Sequence, residues 1–254
     1  MALERIRQML ALCSTEEPLF PPTDLYNEGW MLRLILDWFS IHQTPKHSLT
    51  ISKTEKWYSE ASLPSAFLPR YRGDQYAESW THADGVIGNY KIGENGAGDL
   101  SLTSDAEHLV VLEAKMFSKL SPGVTHARYY NQAARTVACM AEVLRRADRK
   151  PALLKQLSFF VIAPRQQIND GVFKRQMTHE SILETVRRRI DEYDESKDDW
   201  LEGWFLPAMA HITIGVMSWE ELLSYVAGLD LESGEKLNEF YERCLKFNNK
   251  STKN

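Results

Sequence analysis

An apolar run that ends in charged residues constrains the fold of this chain more than any other stretch. The residues from Leu109 to Leu112 are apolar and are followed directly by Glu113-Ala114-Lys115. Such a run, bounded by turn residues, predicts a buried strand whose polar side chains lie only at its end. Because side chains alternate along a strand, Glu113 and Lys115 should share one face.

A second short apolar segment precedes this strand. Leu100-Ser101-Leu102 follows Gly98-Asp99, and a polar stretch connects it to the strand that ends at Glu113. We interpret the pair as an antiparallel hairpin, which would bring Asp99 beside the end of the second strand. Asp84, in the apolar segment 83–90, is a rival for this role, but the tighter hairpin favours Asp99. Two neighbouring carboxylates usually share a cation, and hard oxygen ligands suit Mg²⁺ or Mn²⁺.

Together these residues resemble the signature of the PD-(D/E)xK nuclease superfamily of restriction-endonuclease-like enzymes. Asp99 matches the Asp that opens one strand, and Glu113-Ala114-Lys115 matches the Glu-x-Lys that closes the next, whereas Gly98 stands where the family name has Pro. The resemblance implies a metal held by Asp99, Glu113 and the carbonyl group of Ala114. It also implies that Lys115 positions the attacking water and stabilises developing charge.

The helices on either side supply further candidates. A segment predicted to be helical from Asp24, its N-cap, to about Ser40 has Glu28 on its inward face, and the resemblance implies that this acid completes or orients the metal shell. A second helix is predicted over about 125–147, where Gln132 matches a polar residue that the family often presents to the active site. Arg128, Arg135 and, in the preceding loop, Lys119 are candidates for phosphate contacts.

The order of predicted elements indicates an α/β fold. Further strands are expected over 157–164 and 211–217, and helices over 2–13, 178–190, 219–227 and 235–247. We expect one domain over 1–254 with a three-layer, restriction-endonuclease-like core: a central mixed sheet flanked by helices on both faces. The core would cover about 24–227, with an insertion over about 41–80 that is the first candidate for substrate choice.

Composition limits the alternatives. The net charge of −5 is unfavourable for a protein that binds phosphates, although much of the acid lies in two stretches, 191–199 and 230–235. The absence of a long apolar run or a signal-like N-terminus favours a cytoplasmic protein that does not associate with a membrane. The three cysteines are widely spaced and suggest neither disulfides nor a zinc site.

The expected function is Mg²⁺- or Mn²⁺-dependent hydrolysis of nucleic-acid phosphodiesters, with DNA as the first candidate and a homodimer left open. A noncatalytic nucleic-acid-binding or assembly subunit of the same fold is the alternative, because the acidic balance favours it. A magnesium enzyme that acts on small phosphorylated molecules is a third interpretation.

Overall fold

The computed structural model describes residues 2–15, 17–42, 44, 47–78, 80–94, 96, 98–124, 127–193 and 197–249. Its strands are β1 (Lys56–Leu63), β2 (Thr81–Gly88), β3 (Tyr90–Ile92), β4 (Leu100–Leu102), β5 (His108–Ala114), β6 (Gln156–Ala163) and β7 (Thr213–Ser218). Its helices are α1 (Ala2–Ala11), α2 (Glu28–Ile41), α3 (Gln132–Arg146), α4 (Arg165–Asn169), α5 (His179–Tyr193), α6 (Asp198–Trp200), α7 (Leu206–His211), α8 (Trp219–Leu229) and α9 (Leu231–Asn248). A π-helical turn, Leu201–Phe205, joins α6 to α7.

Five strands form one mixed sheet in the order β1-β2-β5-β6-β7. The pairs β1–β2 and β2–β5 are antiparallel, whereas β5–β6 and β6–β7 are parallel. The connection from β5 to β6 passes through α3, as a crossover between parallel strands requires. The predicted mixed sheet is therefore confirmed.

Helices cover both faces of this sheet. One face packs against α3 and α5, where Val111 and Phe159 meet Val137 and Val186. The other packs against α2, α8 and α9, where residues such as Leu112 and Phe160 meet Leu32 and Trp219. Because the central strands are buried on both faces, β5 and β6 are apolar almost throughout. The three-layer α/β architecture is thus as expected.

The predicted hairpin is wrong. β4 pairs with β3 in a separate two-stranded ribbon, and the antiparallel neighbour of β5 is β2. The physical reason is burial on two faces. β4 buries only Leu100 and Leu102, which suits a surface ribbon, whereas β2 supplies Val86 to one core and Ile87 to the other.

Other boundaries also differ from expectation. The segment treated as an insertion contains β1, an edge strand of the main sheet. Helix α2 begins at Glu28 and has Asn27 as its N-cap, because the Asn27 side chain accepts a hydrogen bond from the Trp30 amide. Helix α1, predicted over 2–13, ends at Ala11 and has no buried residue in its described part.

Among the described helices, none combines the length and the apolar character needed to cross a bilayer.

Candidate functional site

The candidate site lies where β2 and β5 separate. Their ladder ends at the pair Gly85–Leu112, and the next residue on β2, Asp84, turns its carboxylate into the gap. Asp84 Oδ2 accepts a hydrogen bond of 2.7 Å from the backbone amide of Ala114. A side chain thus replaces the missing backbone partner of Ala114, and this fixes the Asp84 carboxylate at the end of β5.

Glu113 is the second carboxylate of the site and is almost fully buried. Lys115 Nζ and Gln132 Nε2 each lie 2.5 Å from Glu113 Oε1. Lys115 shares a face of β5 with Glu113, as predicted, and Gln132 reaches it from the first turn of α3. Both donors hold the same oxygen, so neither bond occupies Glu113 Oε2.

The carboxyl groups of Asp84 and Glu113 are close enough to share a hydrogen bond. Burial, followed by the negative charge of Asp84, raises the pKa of Glu113 to about 7, although Lys115 and Gln132 oppose the shift. Burial also raises the pKa of Asp84, against the Ala114 amide and the Lys115 charge. Two buried acids that repel each other can both ionise only if a cation compensates them.

The groups around this pair suit a hard divalent cation. Within an extended strand the amide and the carbonyl of one residue point to the same side. The Ala114 amide faces Asp84, whereas the next amide, that of Lys115, is bonded to Ile162 on the opposite side. The Ala114 carbonyl therefore also faces the gap beside Asp84. Two carboxylates and one carbonyl oxygen are ligands that Mg²⁺ and Mn²⁺ accept.

Glu28 contributes charge to this site. It is half-buried at the first position of α2, and its negative charge adds to the raised pKa of Asp84. The helix approaches closely because Gly85 has no side chain, and a Cβ there would lie 3.0 Å from Leu32. Within the described part of the chain, however, no three His, Cys, Asp or Glu side chains form a ready metal-binding group. A direct ligand role for Glu28 remains a prediction.

Asp99 is not beside the end of β5. It forms a bridge with Ser62 on the outer side of β1, so that β1 and β2 lie between it and Glu113. Three interstrand spacings amount to about 14 Å, which is too far for two carboxylates to share one ion. Asp84, the rival, takes the position predicted for Asp99. The sequence signal for it was an acid that precedes the apolar residues Val86 and Ile87 of a strand.

The loop that follows Lys115 is held at several points. The Trp219 indole donates to the Lys115 carbonyl, and the Ser121 amide donates to Gln132 Oε1. Gln167 binds the middle of the loop, because its Oε1 accepts from the Phe117 amide and its Nε2 donates to the Ser118 carbonyl. Gln167 was missed in the sequence because α4 carries no motif that points to the site.

Phe117 is the strained residue of this loop. Its φ is +79°, and its side chain is 39% exposed. A bulky residue in this region of backbone space costs about 1–3 kcal/mol and persists only where neighbouring contacts impose it. The two hydrogen bonds from Gln167 are such contacts.

A groove rich in arginine adjoins the site. It encloses about 740 Å³, and its charged lining residues come from the loop before α3, from the segment before α5 and from α5 itself: Arg128, Arg175, Glu180, Glu184 and Arg188. We call it the arginine groove. Pro122 and Asn131, which also line it, are sequence neighbours of Ser121 and Gln132. The lining of the groove therefore includes the residue next to Gln132, whose side chain contacts Glu113.

The predicted phosphate-binding residues separate into two groups. Arg128 is exposed and lines the arginine groove, although it precedes α3, which begins later than predicted. Lys119 is exposed on the loop after Lys115. Arg135 is half-buried, and its charge acts on the buried Glu78. The placement of Arg135 gives no support to a phosphate contact.

Comparisons of the chain with protein-family models, with curated proteins and with solved structures found no match.

Proposed function

We propose that this protein is a Mg²⁺- or Mn²⁺-dependent nuclease of the PD-(D/E)xK type, with Asp84 in place of Asp99. The observation that carries the proposal is the pair of neighbouring carboxylates, half-buried Asp84 and buried Glu113, beside Lys115 at the end of β5. Burying these charges costs stability, and the single hydrogen bond from the Ala114 amide to Asp84 does not require two neighbouring carboxylates. A functional role explains why they are there.

In the proposed mechanism, Asp84, Glu113 and the Ala114 carbonyl would hold the metal. When bound, it would supply a Lewis acid for the phosphate and lower the pKa of a coordinated water. Lys115 would place its ammonium group beside the attacking water and the charge that develops on the phosphate. Gln132 holds Glu113 Oε1 and so orients the carboxylate, while Glu28 adds negative charge from the other side.

The arginine groove supports a polymeric substrate. Arginine forms bidentate contacts with phosphate, and the groove has three arginines against two glutamates. Its lining includes Asn131, the residue before Gln132, and we expect a strand whose phosphates lie along it to reach Glu113. A small phosphorylated molecule would need only the site itself. We therefore propose nucleic acid, with DNA as the first substrate to be tested.

Cleavage of plasmid DNA and of single-stranded oligonucleotides tests the proposal. We expect cleavage with Mg²⁺ or Mn²⁺, none with a chelator, and a loss of about 100-fold or more for Asp84→Asn and Lys115→Met. Asp99→Asn is the matched control, since it makes the same chemical change at a buried acid outside the site, and it should keep its activity.

Two outcomes would contradict the proposal. One is a wild-type protein that binds nucleic acid but does not cleave it with either metal, which would favour the noncatalytic alternative. The other is loss of cleavage in Asp99→Asn with full activity in Asp84→Asn. Thermal unfolding of each variant shows whether a lost activity reflects lost folding.

A further inference from the structure

We infer that Phe117 forms a stacking site for an unpaired nucleobase next to the scissile phosphate. The inference rests on the proposed function and names a contact that would recognise its substrate. Phe117 follows Lys115 by two residues, so a base attached to a phosphate at the site would lie within reach of the phenyl ring. Aromatic rings bind bases of any sequence, because every base presents a π-face.

The exposure of the Phe117 ring favours a role in ligand binding over a role in packing. Phe117 is 39% exposed although its neighbours Met116 and Leu120 are each 3% exposed. The hydrophobic effect would favour the reverse arrangement, with the larger aromatic ring inside. The loop buries its smaller apolar side chains and presents the aromatic one.

The backbone of the loop supports the same conclusion. The φ of +79° at Phe117 suits Gly or Asn better than a bulky residue. Gln167 imposes this conformation, with hydrogen bonds of 3.1 Å to the Phe117 amide and 3.2 Å to the Ser118 carbonyl, and is itself nearly buried. Because this backbone is held in advance, it loses little conformational freedom when a base stacks on the ring.

Phe117 and one lining residue of the arginine groove, Pro122, lie on the same loop. The loop is held at Lys115 and at Ser121, whose backbone groups are bound by Trp219 and Gln132. We therefore expect a strand whose phosphates lie in the groove to place a base on Phe117. A base inside a duplex has both faces covered, so the site requires an unpaired or displaced base.

The test measures the affinity of a fluorescein-labelled single-stranded DNA 12-mer and of the matching duplex in Ca²⁺, which replaces the catalytic metal. Phe117→Gly should weaken binding of the single strand by about fivefold or more, since stacking contributes about 1–3 kcal/mol per base. Phe117→Trp should bind within about twofold of wild type, because Trp also stacks. Binding of the duplex should change less.

Asp148→Gly is the control for relief of backbone strain. Asp148 has a φ of +47° at the far end of α3. Both glycine variants should unfold at or above the wild-type temperature. The Asp148 variant should keep the wild-type affinity.

Equal affinity of Phe117→Gly and wild type would overturn the inference. So would a wild-type protein with no affinity for the single strand. Cleavage with Mg²⁺ is measured on the same proteins, so that failure of one proposal can be distinguished from failure of the other. If Phe117→Gly cleaves and binds like wild type, the stacking site is refuted and the nuclease proposal stands. If the wild-type protein binds through Phe117 but does not cleave, the nuclease proposal is refuted and the stacking site stands.

Discussion

At the scale of single residues, the candidate site costs the metal-free protein stability. Asp84 and Glu113 both have raised pKa values, chiefly because of burial. An acid with a raised pKa makes its full contribution to the free energy of unfolding at pH values below about 4, the pKa that it has in the unfolded chain. This contribution is lost as the pH rises through the pKa that it has in the folded protein. For Glu113 the loss extends to about pH 7.

Asp84→Asn should therefore stabilise the metal-free protein, and more so at high pH. The amide oxygen of Asn can still accept from the Ala114 amide, while one of two repelling charges is removed. We expect the free energy of unfolding to rise by about 1–2 kcal/mol at pH 8 and by less at pH 5. Urea denaturation in the presence of a chelator at both pH values measures the difference.

The control is Asp37→Asn, which removes an acid from the exposed side of α2. It should change the free energy of unfolding little at either pH. Equal effects of Asp84→Asn at pH 5 and pH 8, or destabilisation at pH 8, would show that the two carboxylates do not repel each other in the folded protein.

At the scale of elements, packing on the sheet face that α2, α8 and α9 cover depends on how closely α8 and α9 approach each other. A Cβ on Gly234 of α9 would lie 2.5 Å from both Cα and Cβ of Ala227 on α8, whereas a Cβ on Gly228 would meet nothing within 4 Å. The two glycines therefore have different roles. Gly234 permits contact between the helices, and Gly228 only adds backbone freedom.

The same substitution should have opposite effects at these two positions. Gly234→Ala should destabilise the protein by about 2–3 kcal/mol, because one of the two helix backbones must move. Gly228→Ala should stabilise it by about 0.5 kcal/mol through helix propensity. Chemical denaturation of both variants checks the signs. A neutral Gly234→Ala would mean that α8 and α9 pack less closely than the structure indicates.

At the scale of the whole molecule, a buried ion pair joins the segment between β1 and β2 to α5. Arg189 Nε lies 2.9 Å from Glu78 Oε1, and both side chains are almost fully buried. The rings of Phe67, Tyr130 and Tyr193 surround the guanidinium group. This ion pair holds the segment between β1 and β2 on the sheet face that α3 also covers.

Breaking this pair should destabilise the fold strongly. Glu78→Gln leaves the Arg189 charge buried without a counterion, and we expect a loss of about 3 kcal/mol or more. Glu232→Gln is the control, since it breaks the exposed pair with Lys236 and should cost less than about 1 kcal/mol. Thermal and urea unfolding compare the two variants. Similar losses would mean that solvent reaches Arg189.

Local pattern predicted much of the architecture. The apolar runs of β2, β5, β6 and β7 predicted strands; β5 and β6 are buried almost throughout, whereas β7 buries only Ser218. Helix α8 begins at Trp219, as predicted. Glu113 and Lys115 share a face because strand alternation is a local property. Gln132 was identified because it lies on the helix after Glu-x-Lys, from which the resemblance implies a polar residue that faces the active site.

The choice between Asp84 and Asp99 depended on strand pairing, which is not local. Both acids lie near strands, and only the ladder between β2 and β5 brings one of them to Glu113. β1 was not recognised because Glu60 interrupts it with a φ of +59° and half of the strand is polar. Burial of Arg189 was equally unpredictable, since its partner Glu78 is 111 positions away along the chain.

The amino-acid sequence by itself determined strands β2, β5, β6 and β7, the helix that follows Glu-x-Lys and the chemical types present at the site. The tertiary structure decided which acid faces Glu113, which arginines line a groove and which one is buried. The physical reason is that periodicity depends on neighbours along the chain. Pairing, desolvation and charge repulsion depend on residues that meet only after the chain has folded.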